Sequence, residues 1–419
     1  GMCYEALNDC GNSKTKLILV LNDNEMSIAR NVGALSKHLS QLRASASWNS
    51  TKKRVKLGLS KIPVVGKPIH NVIHSIKKML KSLFMNEVNE GFFTALGFKY
   101  IGPIDGHDVE SMQSIFEQAK RLDEPVVIHC ATKKGYGYRN AEESPEQFHG
   151  TTPFFIESGE VRKRSQKAYG SVAVDELIEL AKKDDRIVAV TAAMPLGTGV
   201  SEFEEAFPER CIDVGIAEEH AVTMCAGLAR GGMRAIFFVY STFLQRGYDQ
   251  VLHDVCLQRL PVLLMLDRSG LPNEDGQSHQ GLFDFAYLRH IPNMTVLSPA
   301  DADELKEMVH AALALNAPCS IRYPKNAVQP NPSYPTTPFA IGRWRTLLKG
   351  GDGTILATGS MVGTALHAAQ RLRDENVNIE VVNASSIVPL DAACIERVCA
   401  KNRPIINIEE HVNACGFGR

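Results

Sequence analysis

The stretch with the most chemistry in its residue types is Asp213-Val-Gly-Ile-Ala-Glu-Glu-His-Ala-Val-Thr-Met-Cys-Ala-Gly-Leu-Ala229. Two adjacent carboxylates, Glu218 and Glu219, stand where an alternating apolar stretch gives way to a run of small and apolar residues. Two readings are open. They are first-turn acids at a helix N-terminus, where negative charge is favoured. Or one of them points into a cleft at the C-terminal end of a strand, where α/β sheets bind ligands. Asn22-Asp-Asn-Glu-Met-Ser27 offers short polar side chains after a strand, suited to a hard cation or to a plain Asx turn. Thr132-Lys-Lys-Gly-Tyr-Gly-Tyr138 pairs cations with glycines, and such a loop can hold a phosphate.

The elements that must position these residues read as α/β. Ile212, Val214 and Ile216 alternate as a strand, and Glu219 to Arg230 reads as a buried helix. Leu17–Leu21 is a fully apolar strand, as in a parallel sheet covered on both faces, with Asp9–Ser13 before it as a turn. Further strands are expected at 125–130, 187–191, 235–239, 262–266, 319–323, 354–358, 379–383 and 404–408. Helices are expected at 109–122, 172–182 and 362–376, and 192–199 is expected as a loop. Polar and Gly-rich segments repeatedly follow strands, as one α/β site requires.

The chain has 419 residues, 44% hydrophobic and 22% charged, with a net charge of −1. That is an ordinary globular composition long enough for two or three domains. It implies no general attraction to nucleic acid or anionic membrane, and no apolar run is long enough to span a bilayer. Residues 51–82 carry nine Lys or Arg and no acid; an amphipathic helical excursion is expected there, not a nucleic-acid patch, because stacking aromatics are absent. The ten scattered cysteines form no CxxC pair and read as reduced thiols of a cytoplasmic protein. Polar residues 151–168 and proline-rich residues 328–342 read as linkers. The abrupt first and last residues suggest a piece cut at both ends.

At these motifs the sequence resembles the 1-deoxy-D-xylulose-5-phosphate synthases, a transketolase-like family, over essentially the whole chain. The carriers are LNDNEMSI with NVGAL, YIGPIDGHD, TKKGYGY, FHGTTPF, GIAEEHAV, YSTFLQRGYDQVLHDV, DRSGL, EDGQSHQGLFD and RYPK. The resemblance implies three α/β domains with mainly parallel sheets flanked by helices, the first and third incomplete. These are a diphosphate-binding part at 1–160, a pyrimidine-binding domain at 161–330 and a truncated C-terminal domain at 331–419, with the cofactor between the first two. It implies a homodimer and the cofactors thiamine diphosphate and Mg²⁺. The implied reaction joins pyruvate to D-glyceraldehyde 3-phosphate with loss of CO₂, giving 1-deoxy-D-xylulose 5-phosphate for isoprenoid, thiamine and pyridoxal synthesis.

The resemblance also assigns residues. Glu218 matches the glutamate that hydrogen-bonds the cofactor's aminopyrimidine, work that needs a carboxyl group of tuned proton affinity. Phe243 would stack on that ring. Asn24 and the backbone of Met26 would hold Mg²⁺, and Tyr138 with Lys134 (or Lys133) would sit by the cofactor. His149 and His279 are candidates for proton transfer. Tyr240, Arg268 and Lys325 would bind the acceptor's phosphate, with Arg322 as a further candidate, and Asp275 would contact the acceptor or order its loop.

The sequence departs from the family pattern. The family's Gly-Asp-Gly, whose Asp binds metal upstream of the NDN, is not in this chain; Gly351-Asp-Gly353 lies far downstream and reads as a loop before a strand. Lys325 stands where relatives usually carry Arg, so a forked grip becomes a point charge. Leu271-Pro-Asn273 replaces a more usual Val-Gly pattern. With these parts missing, weak or no cofactor binding and little or no activity are expected. A split transketolase, a 2-oxo-acid dehydrogenase component and a non-catalytic scaffolding remnant are the alternatives.

Overall fold

The structure, a computed structural model, describes residues 3–44, 91–151, 153–161, 167–272, 276–328 and 337–419. The basic stretch 51–82 and most of the proline-rich segment lie outside the described residues. The chain forms two compact units, Gly1–Glu160 and Val161–Arg419.

In the first unit, β1 (Ile18–Asp23), β2 (Lys99–Asp105) and β3 (Val126–Ala131) form a parallel sheet in the order β1-β3-β2. Its centre is β3, whose apolar run is buried on both faces. Val126, Ile128 and Cys130 join Ile101 and Ala119 in one cluster, and Val127 joins Phe93 and Phe98 in another. Each Val, Ile or Phe side chain among these contributes about 1.5–3 kcal/mol of burial. The helix Val109–Ala119 is capped by Asp108, which accepts from the Ser111 N–H at 3.1 Å; this satisfies one of the helix's orphan donors.

Two expectations for this unit fail. Asp9–Ser13 is not a turn: the helix Cys3–Ser13 runs through it and ends at Lys14, with φ 51°. Gly11 is there for close approach, because a Cβ would lie 1.8 Å from the Leu96 carbonyl oxygen. Nor is β1 covered on both faces. It is an edge strand among the described residues, and Leu17 and Val20 are 44% and 48% exposed.

The second unit holds β4 (Ile187–Thr191), β5 (Cys211–Asp213), β6 (Arg234–Tyr240), β7 (Leu263–Asp267), β8 (Thr295–Leu297), β9 (Cys319–Arg322), β10 (Arg345–Leu348), β11 (Gly353–Ala357), β12 (Ile379–Asn383), β13 (Ser386–Val388) and β14 (Ile405–Ile408). A seven-stranded sheet has the order β13-β8-β9-β7-β6-β4-β5, parallel except for β13. A second sheet has the order β10-β12-β11-β14, parallel except for β10. From β4 the chain moves to β5 on one side and then to β6 on the other. That reversal is a topological switch point, where α/β sheets open a crevice at their carboxyl ends.

The two sheets are fastened to each other. β13 follows β12 directly and pairs antiparallel with β8. Glu304, on the helix Ala302–Leu315, is fully buried and accepts from Ala300 N at 2.7 Å, from Asn383 Nδ2 at 3.0 Å and from Arg345. Burial pushes this carboxyl up, and Arg345 draws it back toward the charged form.

Elsewhere the expected bounds shift. The 212–216 strand stops at Asp213, because Asp213 Oδ1 accepts from both Ala193 N (2.8 Å) and Gly215 N (2.9 Å) and turns the chain, leaving Ile216 exposed. The following helix begins at Glu218, not Glu219. Residues 192–199 contain a short helix, Pro195–Thr198, opened by its proline. All ten cysteines are free thiols, and Cys130, Cys225, Cys256, Cys319 and Cys394 are buried.

Candidate active site

The second unit gathers its polar side chains at the carboxyl ends of β4 to β7. After β5 the chain turns at Gly215 (φ 72°) and enters the helix Glu218–Arg230. Glu218, its first residue, is 3% exposed, and its Oε2 is buried with no hydrogen-bond partner among the described residues. Burial raises its proton affinity; the backbone N–H at the helix start and the Arg246 charge pull the other way. A buried acceptor left unpaired costs about 1–3 kcal/mol, so such an atom calls for a donor from outside the fold. Glu219 is half-buried, so the two acids are not equivalent. The helix start is held close to the chain after β6 at Gly247, where a Cβ would come within 3.0 Å of Val222.

Beyond β6, the helix Ser241–Leu244 presents aromatic rings. Tyr240 and Phe243 stack at 5.4 Å, and Phe243 meets the His279 ring edge-on at 5.2 Å. His279 Nδ1 lies 3.0 Å from Ser278 Oγ. Arg268, just after β7, lies over the Tyr240 ring at 3.6 Å. Its Nη1 donates to the Gly197 carbonyl at 2.8 Å and to Asp267 Oδ2 at 3.0 Å. Gly197 has to be glycine, because a Cβ there would lie 2.0 Å from Tyr240 Oη. The structure therefore brings Tyr240, Phe243, Arg268 and His279 together. Lys325 is half-buried after β9, and Asp275 lies outside the described residues.

Arg322 is spent inside the protein. It is 5% exposed, donates from Nε to Asp284 Oδ2 at 2.8 Å and from Nη2 to the Gly281 and Glu410 carbonyls, and packs on the Phe285 ring. Asp284, fully buried, also accepts from Ser241 Oγ at 3.0 Å. Asp284, Asp267 and Gly197 were not singled out from the sequence. Asp267 carried a hint as the neighbour of Arg268 in DRSGL, and Asp284 as the last residue of EDGQSHQGLFD.

In the first unit, the loops after β1 and β3 meet. Thr132 Oγ1 donates to Asn22 Oδ1 at 2.6 Å, and Lys134 Nζ donates to the Ser27 carbonyl at 2.8 Å. Burial lowers the Lys134 pKa, with Glu146 opposing. Asn24 Oδ1 accepts from Met26 N at 3.0 Å, which is an Asx turn. Asp23 is buried against His129 Nε2 (2.9 Å), whose Nδ1 lies 2.6 Å from Tyr100 Oη. Tyr138 Oη donates to the Ile156 carbonyl at 2.7 Å and accepts from Asn140, and its ring packs on Phe148 and Phe154. His149 is exposed in the loop that follows. No group of three or more His, Cys, Asp or Glu side chains among the described residues is placed to hold a metal.

Comparison with known proteins gives this architecture a lineage. Residues 1–132 match the family described as 1-deoxy-D-xylulose-5-phosphate synthase. Residues 165–330 match the transketolase pyrimidine binding domain, and 342–419 the transketolase C-terminal domain. The chain is 44% identical to the 1-deoxy-D-xylulose-5-phosphate synthases of Clostridium tetani and Clostridium kluyveri over 100% of its length, covering 67% and 66% of theirs. Among solved structures, a split-gene transketolase (an inactive beta4 tetramer) is 31% identical over 60% of this chain and 81% of its own, with a TM-score of 0.55. Transketolase from Campylobacter jejuni shares the fold at 18% identity over 99% of this chain and 68% of its own, with a TM-score of 0.54.

Fold and matches together define a transketolase-type α/β protein, a class whose families imply dependence on thiamine diphosphate. More narrowly, the chain belongs to the 1-deoxy-D-xylulose-5-phosphate synthase family of transketolase-type transferases. It spans about two thirds of the length of the curated relatives it matches.

Proposed function

We propose that this chain works in the condensation of pyruvate with D-glyceraldehyde 3-phosphate, releasing CO₂ and giving 1-deoxy-D-xylulose 5-phosphate. The observation that carries this is Glu218, a buried carboxyl group with one oxygen unpaired at a strand's carboxyl end. That oxygen fits the aminopyrimidine of thiamine diphosphate, which supplies a donor of the kind the fold withholds. When bound, the cofactor supplies the electron sink that lets pyruvate lose CO₂ and pass its remaining two carbons to an aldehyde.

The chain's own residues have the following roles in this reading. Glu218, kept responsive by burial, holds or takes a proton at the pyrimidine. Phe243 offers its ring face to that heterocycle. Tyr240, Arg268 and Lys325 bind the acceptor's phosphate, with Arg322, which bonds Asp284 and two carbonyls, as a further candidate. His279, in contact with Phe243 and Tyr240, serves proton transfer or hydrogen-bonds the substrate, and Asp275 contacts the acceptor or orders its loop. In the first unit, Asn24 and the Met26 carbonyl are the oxygen donors proposed for Mg²⁺, a fit in type but short of a full set for an octahedral ion. Lys134 and Tyr138 contact the cofactor in this reading, and His149 serves proton transfer.

The matches at 165–330 and 342–419 support a pyrimidine-binding domain at 161–330 and a C-terminal domain at 331–419, with 1–160 as part of the diphosphate-binding domain. Membership of the family supports a cytoplasmic homodimer serving isoprenoid, thiamine and pyridoxal synthesis. No described helix is long and apolar enough to cross a membrane.

The test is to incubate the protein with thiamine diphosphate, Mg²⁺, carbon-13-labelled pyruvate and glyceraldehyde 3-phosphate and follow the product by NMR. Labelled 1-deoxy-D-xylulose 5-phosphate, formed slowly, is expected. Exchange between ketose and aldose phosphates with pyruvate untouched would favour the split-transketolase reading.

A further inference from the structure

We infer that Asp267 is a positioning residue that sets the guanidinium of Arg268 for the acceptor's phosphate, an inference that rests on the phosphate reading of Arg268 above. Both oxygens of Asp267 are turned on its own neighbour. Oδ1 accepts from the Arg268 backbone N–H at 2.6 Å, and Oδ2 accepts from Arg268 Nη1 at 3.0 Å. Asp267 and Arg268 are 4% and 7% exposed, so these bonds form in a weakly screened setting where charge-assisted pairs are strong.

The clamp has work to do. Arg268 sits at φ +60°, a left-handed conformation that a non-glycine residue adopts at a cost. The Asp267 bond to its N–H holds that conformation, and the bond to Nη1 closes the side chain back toward β7. Nη1 also donates to the Gly197 carbonyl, and the guanidinium lies flat over Tyr240 at 3.6 Å. Among the described residues, supports following β4, β6 and β7 thus bear on the plane of one cation. From the far side, Gly281 packs on the Arg268 carbonyl so closely that a Cβ would lie at 2.5 Å. A planar fork recognises phosphate through its orientation, so loosening the clamp weakens recognition of the phosphate but not of the rest of the acceptor.

The test is calorimetric titration of the full chain with glycerol 3-phosphate, an unreactive phosphorylated probe, with glycerol as its unphosphorylated control. The proteins are wild type, Asp267→Asn, Asp267→Glu, Arg268→Lys and the Asp267→Asn/Arg268→Lys double variant. Each is checked by thermal unfolding. Asp267→Asn is expected to weaken glycerol 3-phosphate binding roughly tenfold. The double variant should bind no more weakly than Arg268→Lys alone, because the aspartate acts through the arginine. Asp267→Glu keeps the charge but shifts it by a methylene, and should weaken binding even if Asp267→Asn fails to fold. Wild-type affinity in Asp267→Asn or Asp267→Glu, or losses that add in the double variant, would overturn the inference. No binding by the wild type would instead overturn the phosphate reading of this site, and the inference with it.

Discussion

The loop system of the first unit and the strand ends of the second both carry polar side chains, but they spend them differently. In the first, Asn24 closes an Asx turn, Lys134 ties down the Ser27 carbonyl and Tyr138 bonds to Ile156. In the second, Glu218 is buried with an oxygen left over, while Asp267 on Arg268, and Asp284 on Arg322 and Ser241, are bonded at the ends of other strands. An acceptor held buried and unpaired by the fold is preorganised for a donor. A loop that has satisfied itself must exchange an internal bond for each ligand it takes.

Substitutions can break or sharpen that contrast. The largest effect is expected at Glu218→Gln. Loss of a positioned acid–base group costs about 10²–10⁴-fold in turnover, measured as product formed per enzyme at saturating cofactor. Stability should move the opposite way. Because burial raises the folded-state pKa of Glu218, the folded state keeps its proton where the unfolded chain has released it. The group's contribution is therefore present below the ordinary carboxylate range and is lost as pH rises through the raised value. Glu218→Gln should unfold at a higher temperature than wild type above that window, by on the order of 1 kcal/mol, and the gain should vanish at acid pH.

Asp284→Ala strands the buried guanidinium of Arg322. A loss of about 3–5 kcal/mol in denaturant unfolding is expected, which would mark the pair as structural. In the first unit, Tyr100→Phe removes the partner of His129 Nδ1 and should cost about 1–2 kcal/mol. Asn24→Ala removes one Asx-turn bond and should cost only about 1 kcal/mol in the absence of ligand. If Asn24→Ala instead left stability unchanged, the loop would not be satisfying itself and the contrast would fail.

Much of this was legible in the sequence, for physical reasons. A continuous apolar run made β4 readable to the residue, because a strand buried on both faces leaves little room for polar interruptions; β12 was readable too, although the buried Glu380 interrupts it. Asp9–Ser13 misled because Asp, Gly, Asn and Ser are turn formers, while the reason for Gly11 is a tertiary approach to Leu96. The alternation at 212–216 misled because Asp213 spends its side chain on bending the backbone. The pairing of β13 with β8 carries no local signal, since three residues meet a strand distant in sequence. Glu218 could be nominated from its motif, but that it rather than Glu219 is buried, with an oxygen unpaired, emerges only from packing. Asp267 and Asp284 are single acids in the sequence and take their places only when β6, β7 and β9 stand side by side.

The most direct measurement is a calorimetric titration of thiamine diphosphate in Mg²⁺ into wild type and Glu218→Gln. If the unpaired Glu218 oxygen meets the aminopyrimidine, the variant binds at least tenfold more weakly while its unfolding transition is retained. Equal affinities in the two proteins would contradict the assignment of Glu218 to the cofactor.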